Sequence, residues 1–265
     1  MQHMTSHSIF DRWRRVRHGV VALVLAATAA CGTKEAAGPL EPTGPTGRIR
    51  FVNLITDPSR NPVNAILENV PFGVNLGYAG TTPSSLPAPN TAIYSAILAG
   101  DRHLVLKKTA DTTMTVANFA FTVAANQDMT LYAIGGTGGT PVAQIATTDV
   151  NTPVPAGQTR VRIVDIQEGA NGPVDVFVTA PNADLSTATP VYATPGPIDL
   201  YVSGIAPGTY QVRAVPAGTP PANRSANVLV TLNNLVLPSG AARSIVFANK
   251  STGGSPPVAF VLTDQ

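Results

Sequence analysis

The sequence predicts an all-β fold: two tandem antiparallel β-sandwich domains of the immunoglobulin-like kind, placed after a signal peptide and a flexible tether. Short runs rich in Val, Ile, Thr and Ala alternate in polarity and are broken by Pro, Gly or Asn about every 8–12 residues, which is typical of sandwich strands. No window sustains the roughly 3.6-residue period of an amphipathic helix. The 24 prolines among 265 residues also disfavour long helices. Finally, the sequence repeats itself at a domain-sized interval.

The repeat can be read directly from the residues. Arg-Ile-Arg-Phe-Val-Asn-Leu at 48–54 returns as Arg-Val-Arg-Ile-Val-Asp-Ile at 160–166, and Gly-Gly-Thr-Pro at 138–141 returns as Gly-Gly-Ser-Pro at 253–256. The interval of about 112–115 residues is the length of a small domain rather than of a solenoid repeat. Each copy is therefore long enough to enclose one sandwich core.

The repeat and the composition divide the chain into five segments. Residues 1–30 are predicted to be a lipoprotein signal peptide, 31–47 a flexible Gly/Pro tether, 48–151 sandwich copy one, 152–159 a linker and 160–265 sandwich copy two. The linker contains two prolines, so we expect it to be semi-rigid. Because each copy has its own inward-facing residues, we expect the copies to fold independently and to share few contacts.

Seven strands are predicted in each copy from the alternating runs. In copy one they lie near residues 48–55, 63–69, 92–98, 102–108, 113–123, 129–134 and 141–148. In copy two they lie near residues 159–166, 174–179, 197–203, 208–215, 226–232, 242–248 and 257–263.

The N-terminal segment has the parts of an export signal. Four arginines between positions 12 and 17 precede an apolar run of about twelve residues. This run is too short to span a bilayer. The run ends in small residues before Cys31, which resembles a bacterial lipobox with Thr28 where Leu is usual. We therefore expect Cys31 to be lipidated. Ordinary cleavage after Ala30 and a twin-arginine signal at Arg14-Arg15 are the alternatives.

Lipid at Cys31 would be the membrane anchor, since no later stretch has the length of a membrane span. Cys31 is also the one cysteine in the sequence, so no disulfide can form within the chain. Gly32 follows it in place of the Asp that resembles an inner-membrane retention signal. We therefore expect a cell-envelope protein on the outer membrane, facing the periplasm or the surface.

The charge of the exported part disfavours nucleic acid as a partner. Removing residues 1–30 takes away four Arg and one Asp, which leaves 13 basic and 14 acidic residues and a net charge of −1. A surface that binds a phosphate backbone needs a basic surplus, which this part of the chain lacks.

The opening strand of each copy carries a pair of arginines. Arg48 and Arg50 alternate with the apolar residues of copy one, and Arg160 and Arg162 do the same in copy two. Successive side chains of a strand point to opposite faces. We therefore expect the arginines to form a solvated strand face, with an anion site as the alternative.

Four residues are candidates for contacts with a ligand. Asn53 and Asp165 occupy equivalent positions on the otherwise apolar face of the opening strands, although such side chains commonly cap a turn. Tyr192 and Tyr201 are the tyrosines that could contact a polymer, although core packing is the ordinary role of a scattered tyrosine.

No motif predicts catalysis, and we expect no catalytic residue, metal or cofactor. His103 is the one histidine after the signal peptide, whereas a serine hydrolase needs a base beside its nucleophile. Clustered His and Cys residues that would bind a transition metal are missing from the sequence. The segment 165–172 offers oxygen ligands for calcium as an alternative. The glycine-rich segment 135–140 lacks the residues of a phosphate loop and is expected to connect a hairpin.

Three motifs of copy two carry a resemblance to a known family. They are Arg-Val-Arg-Ile-Val-Asp at 160–165, Pro-Val-Asp-Val-Phe-Val at 173–178 and Pro-Gly-Thr-Tyr-Gln-Val-Arg at 207–213. Together they resemble the bacterial family called domain of unknown function 4397, over most of residues 48–265. The family has His where this chain has Asn53 and Asp165. The resemblance implies tandem β-sandwich modules on lipoproteins and surface proteins, and it implies no catalytic residue.

Two functions are compatible with these features. The first is a non-enzymatic, membrane-tethered envelope lipoprotein that acts as a structural, display or binding module. The second is an extracellular protein that binds a polysaccharide or another polymer. An envelope protein or a polysaccharide is the partner expected beyond the membrane itself.

Overall fold

The computed structural model describes residues 43–83, 94–168, 172–193 and 198–264. The predicted signal peptide 1–30, Cys31 and most of the tether 31–47 lie outside the described residues. The described part is all-β, and its helical segments are two short 3-10 turns at Thr137–Gly139 and Pro221–Ala226. Residues 44–265 form one compact unit.

Sixteen strands are described, and they fall into two halves. In the first half (residues 46–149) they are β1 (Thr46–Ile55), β2 (Val63–Leu67), β3 (Val70–Leu76), β4 (Thr81–Thr82), β5 (Ser95–Leu98), β6 (Gly100–Lys108), β7 (Asp111–Val123), β8 (Asp128–Gly135) and β9 (Val142–Asp149). In the second half (residues 159–263) they are β10 (Thr159–Asp165), β11 (Val174–Thr179), β12 (Asp199–Ile205), β13 (Gly208–Pro216), β14 (Val230–Leu237), β15 (Ala242–Ala248) and β16 (Val258–Thr263).

Two sheets form the first half. One has the order β4-β1-β8-β9, with β5 also paired to β1, and the other has the order β3-β2-β6-β7. Alternate residues of the facing strands, among them Ile49, Phe51, Leu104 and Leu131, are fully buried in one apolar core. The apolar residues that alternate along each strand therefore form one layer of side chains between the two sheets.

The second half has the same arrangement with fewer strands. Its sheets have the orders β12-β10-β15-β16 and β11-β13-β14. A separate apolar core lies between them and includes Ile163, Val176, Val212 and Ile245, all fully buried. In each half the opening strand occupies a central place in its sheet.

Each half contains one parallel strand pair, so the expectation of purely antiparallel sandwiches is wrong. β1 pairs with β8 in parallel, and β10 pairs with β15 in parallel; the other named strand pairs are antiparallel. Parallel neighbours require a crossover connection. In each half the chain crosses between the two sheets more than once before it returns beside the opening strand in the same direction.

The alternating runs located most strands and missed two. Each predicted strand overlaps a described one, and the glycine-rich segment 135–140 connects the antiparallel strands β8 and β9 as expected. The edge strand β3 was not predicted because Pro71 and Gly73 interrupt its apolar pattern, which an edge strand tolerates. The two-residue strand β4 was missed because it is too short to show alternation. The strand predicted at 226–232 begins at Val230, because Pro221–Ala226 forms a 3-10 helix.

The two halves share a packed interface, whereas the proline-containing linker had led us to expect few contacts between them. The sheet containing β1 packs against the sheet containing β10, and a third apolar cluster lies between them. The buried residues of this cluster from the first half are Val52, Leu54, Tyr132 and Ile134, and those from the second half are Val164, Ile166, Val246, Ala248 and Leu262. The faces that two separate sandwiches would expose to water therefore bury each other.

Candidate functional site

Two arginines lie buried at the contact between the halves. Arg50 of β1 is 0% exposed and Arg162 of β10 is 1% exposed, and both are among the largest fully buried side chains. The expectation that these arginines form a solvated face is therefore wrong for Arg50 and Arg162, and also for Arg160, which is 8% exposed. It is right in part for Arg48, whose side chain is 54% exposed. Strand alternation gave the correct face, but the other half covers it.

Arg50 uses its guanidinium to bind the second half. Nη1 donates a hydrogen bond to the backbone oxygen of Thr263 at 2.8 Å, and Nη2 donates to Asp264 Oδ1 at 3.0 Å. Nε and Nη2 also donate to the hydroxyl of Thr130 at 3.1 and 3.0 Å. The buried charge is thus paired and hydrogen-bonded, which a buried arginine requires.

Arg162 makes the reverse contact from the second half to the first. Its Nη1 donates to Asp149 Oδ1 at 2.5 Å. Nε and Nη2 donate to Asp199 Oδ2 at 2.9 and 2.6 Å, which gives the guanidinium a second carboxylate. Arg50 also approaches Asp149, with Nη2 at 3.6 Å from Oδ2.

The carboxylates are held by hydroxyl groups at equivalent register positions. Thr130 of β8 is the parallel partner of Arg50 and donates to Asp149, and Ser244 of β15 is the parallel partner of Arg162 and donates to Asp264 Oδ2 at 2.6 Å. The two buried guanidinium groups therefore face the two buried carboxylates of Asp149 and Asp264, and the partly exposed Asp199 adds a third carboxylate beside Arg162. The contacts are reciprocal, as in the isologous interface of a two-fold dimer.

A tyrosine ring covers each arginine on its outer side. Tyr94 lies over Arg50, with 4.8 Å between the guanidinium carbon and the ring centroid, and Tyr201 lies over Arg162 at 5.1 Å. Both distances are within the range of cation–π attraction. The Tyr94 hydroxyl donates to Asp149 Oδ2 at 2.8 Å, and the Tyr201 hydroxyl accepts from the backbone N–H of Val150 at 2.9 Å. Burial raises the pKa of both phenols, which keeps them neutral.

The other ligand candidates lie in separate places. Asn53 is fully buried, and its amide donates to Asn61 Oδ1 at 2.8 Å and to the backbone oxygens of Leu76 and Gly77 at 2.9 and 3.1 Å. Its Oδ1 accepts from the backbone N–H of Ile55 at 3.2 Å. This side chain therefore organises a turn through hydrogen bonds from its amide nitrogen and to its amide oxygen.

Asp165 and Tyr192 are also separated from each other. Asp165 ends β10, where its Oδ1 accepts from Gln167 Nε2 at 2.8 Å, and burial raises the pKa of its carboxyl group. Tyr192 is 3% exposed and packs in the core of the second half, beside β11. Of the four predicted residues, Tyr201 alone lies at the charged contact between the halves. The pairing of Arg50 and Arg162 with repeated aspartates was missed. The signal available was the recurrence of Thr148-Asp149 as Thr263-Asp264.

A polar cleft of about 660 Å³ opens beside the start of the linker. Arg48 and Asp128 form its charged wall through a bidentate contact, with Nε to Oδ1 at 2.6 Å and Nη2 to Oδ2 at 2.5 Å. Asn151 also donates to Asp128. The charge of Arg48 is therefore already neutralised within the protein.

A second cleft, of about 400 Å³, is lined by residues of both halves. We name it the Tyr78 cleft. Its lining residues are Pro58, Asn61, Pro62, Asn75, Gly77, Tyr78 and Ser251. The side chain of Asn53 contacts its wall through Asn61 and the backbone of Leu76 and Gly77.

The described residues offer no group of three or more His, Cys, Asp or Glu side chains that could hold a metal ion. Within the same part of the chain, no helix combines the length and the apolarity needed to cross a membrane.

Comparison with solved structures returns distant β proteins. One is CBMbc, of family CBM26, from Eubacterium rectale Amy13K in complex with maltoheptaose, which is 9% identical with a TM-score of 0.24, covering 81% of this chain and 96% of that one. Another comes from a study of alpha-glucan binding by a streptococcal virulence factor, at 9% identity and a TM-score of 0.21, covering 82% and 97% of the two chains. At such TM-scores neither similarity carries an argument about this protein.

The sequence comparisons are more specific. No curated protein matches the chain. The family model described as Domain of unknown function (DUF4397) matches residues 47–177. The match spans the strands of the first half and continues through β10 to Phe177 in β11. A domain of this family, whose function is unknown, is thus found over residues 47–177.

Proposed function

We propose that this chain is a non-enzymatic lipoprotein of the cell envelope that presents two tandem immunoglobulin-like sandwich domains as one rigid module. The observation that carries the proposal is the buried contact between the halves. Arg50 and Arg162 are each fully buried and paired with an aspartate of the opposite half. Separating the halves would expose an apolar surface and break both pairs, so the module is expected to move as one body.

A duplication is supported by the topology of the two halves. Each half has a central opening strand that pairs in parallel with its penultimate strand, β8 in the first half and β15 in the second. The partners Thr130 and Ser244 occupy the same register position, and each donates to an aspartate at the end of its own half. A duplicated domain whose ancestor paired with itself would have these reciprocal contacts.

The membrane anchor in this proposal is lipid on Cys31, joined to the module by the tether of residues 31–47. We place the protein on the outer membrane, facing the periplasm or the surface. The lipobox-like sequence before Cys31 supports the anchor, and the short apolar run before it supports export. A diacylglycerol together with a further acyl chain would hold a protein firmly on a bilayer, since stable anchoring takes two signals.

Membrane fractionation of full-length protein tests the anchor. Wild type should take up labelled palmitate and sediment with membranes. Cys31→Ala should lose the label and either appear in the soluble fraction or accumulate as the uncleaved precursor. Thr33→Ala, two residues away, is the matched control and should behave as wild type. A processed Cys31→Ala protein that still sediments with membranes would refute the lipid anchor.

A second candidate function is binding of a polysaccharide or another exported polymer. The observation that favours it is the Tyr78 cleft, which residues of the first half form together with Ser251 of the second half. Tyr192 is buried and cannot serve as a binding platform. Screening the purified full-length protein on a glycan array tests this function. If no glycan binds reproducibly, the structural role is the one that remains.

A further inference from the structure

The walls of the Tyr78 cleft are fixed by hydrogen bonds within the protein. Tyr78 belongs to the first half, and its hydroxyl donates to the backbone oxygen of Asn249 in the second half. Asn61 donates to the backbone oxygen of Ile55 at 2.6 Å and accepts from Asn53. Because these side chains are held before any ligand arrives, a ligand would not have to order them on binding.

Two polar side chains of the cleft remain available. Asn75 and Ser251 are both exposed, and within the part of the chain that the structure describes their side chains make no hydrogen bond. The backbone of Asn75 has a φ of 56°, and its N–H donates to Asn64 Oδ1 at 2.9 Å, which holds the backbone from which the side chain projects. The cleft thus offers an amide from the first half and a hydroxyl from the second.

The lining residues of the Tyr78 cleft restrict the chemical class of ligand that it can bind. Of the described residues that form the cleft, none is charged, so an ionic ligand would lose hydration without gaining a counter-charge. Two prolines and the exposed part of the Tyr78 ring, which otherwise packs against the apolar cluster between the halves, supply apolar surface. The amide supplies both donors and an acceptor. The volume lies within the range of pockets for small organic molecules, about 300–1,000 Å³.

We propose that the Tyr78 cleft binds a neutral saccharide unit of an exported polymer. A sugar ring carries an apolar C–H face and a rim of hydroxyl groups, and the cleft places an aromatic ring and prolines near a free amide and a free hydroxyl. The inference rests on the polymer-binding function proposed above and gives it a site. A proline-rich peptide fits less well, since grooves for such peptides are lined by several aromatic residues. Tyr78 is the one aromatic residue described in this lining.

A binding experiment with full-length protein tests the site. An array of neutral and uronic-acid-containing oligosaccharides identifies a ligand, and calorimetric titration measures its affinity. The double variant Asn75→Gly with Ser251→Ala removes both free groups, and glycine accepts the positive φ of residue 75. The matched control is Asn182→Gly, another exposed asparagine with a φ of 60°, which does not line the cleft.

We expect a neutral oligosaccharide to bind wild type and the control equally, and to bind the double variant about tenfold more weakly, since two hydrogen bonds are lost. Unchanged affinity in the double variant would overturn this site but leave polymer binding by the protein in place. Binding of only acidic saccharides, or of a proline-rich peptide instead, would overturn the assignment of the ligand. Failure of every glycan to bind would overturn both the site and the polymer-binding function, while the Cys31 test of the anchor would stand separately.

Discussion

Arg50 forms an ion pair with Asp264, although 214 residues separate them in the sequence, with 3.0 Å between Nη2 and Oδ1. The pair joins the opening strand of the first half to the end of the second half. Its counterpart joins Arg162 to Asp149 in the reverse direction. Because both pairs are buried, they cost desolvation free energy. They are tolerable because each guanidinium has several hydrogen-bond acceptors. Such a network specifies one orientation of the halves.

Replacing Arg162 by methionine should strongly destabilise the protein. The substitution keeps an unbranched side chain but removes the closest cation from the buried Asp149, and Arg50 remains 3.6 Å away. Breaking a buried pair in this way costs about 3–5 kcal/mol. Urea unfolding at neutral pH measures the loss.

Arg48→Met is the matched control for that substitution. Arg48 also pairs with a buried aspartate, Asp128, but the arginine side chain is itself 54% exposed, and Asn151 still donates to Asp128 when Arg48 is replaced, so the loss of stability should be smaller than for Arg162. Equal losses of stability in the two variants would mean that burial of Arg162 has no special consequence.

The two halves should unfold in a single cooperative transition. The apolar cluster between them, including Tyr132 and Val246, is available only when both are folded. Calorimetry of full-length protein should give equal calorimetric and van 't Hoff enthalpies. In a variant with a protease site in the linker 152–159, the cleaved halves should elute together from a sizing column. Two separate transitions, or separation of the cleaved halves without denaturant, would contradict a shared interface.

The sequence predicted the positions of most strands, but it did not predict how the sheets of the two halves pack against each other. Alternation predicted that Ile49 and Phe51 point into one core, because strand periodicity is local. It also placed Arg50 on the opposite face, and a charged face normally meets water. What covers that face depends on residues over 200 positions away, which periodicity cannot report. The recurrence of an arginine strand and of a terminal Thr-Asp pair in both copies was the one sequence hint of the reciprocal pairs.

Replacing Asn53 by alanine should cost stability rather than reveal a ligand contact. The side chain makes four hydrogen bonds within the protein, three as donor and one as acceptor. Leaving buried partners unsatisfied should cost about 2–4 kcal/mol in urea unfolding. Asn53→Asp should lose at least as much, since a carboxylate would face three acceptor oxygens. A variant with wild-type stability would indicate that Asn53 serves some other role.

Asp165→Asn should stabilise the protein at neutral pH. Burial raises the pKa of the Asp165 carboxyl group above its ordinary value of 3.8, so the folded state holds this proton more tightly than the unfolded state. Stability from this group is therefore present below pH 3.8 and is lost as the pH rises through the raised value. Asparagine cannot ionise and can still accept the hydrogen bond from Gln167. Urea midpoints of the variant and wild type should therefore converge at low pH and separate above it, with the variant more stable.

Asp57→Asn is the control of opposite sign, because hydrogen bonds from Ser59 lower the pKa of Asp57 and favour its charged form. If Asp165→Asn were less stable than wild type at neutral pH, the carboxylate would be making a favourable interaction that outweighs its burial.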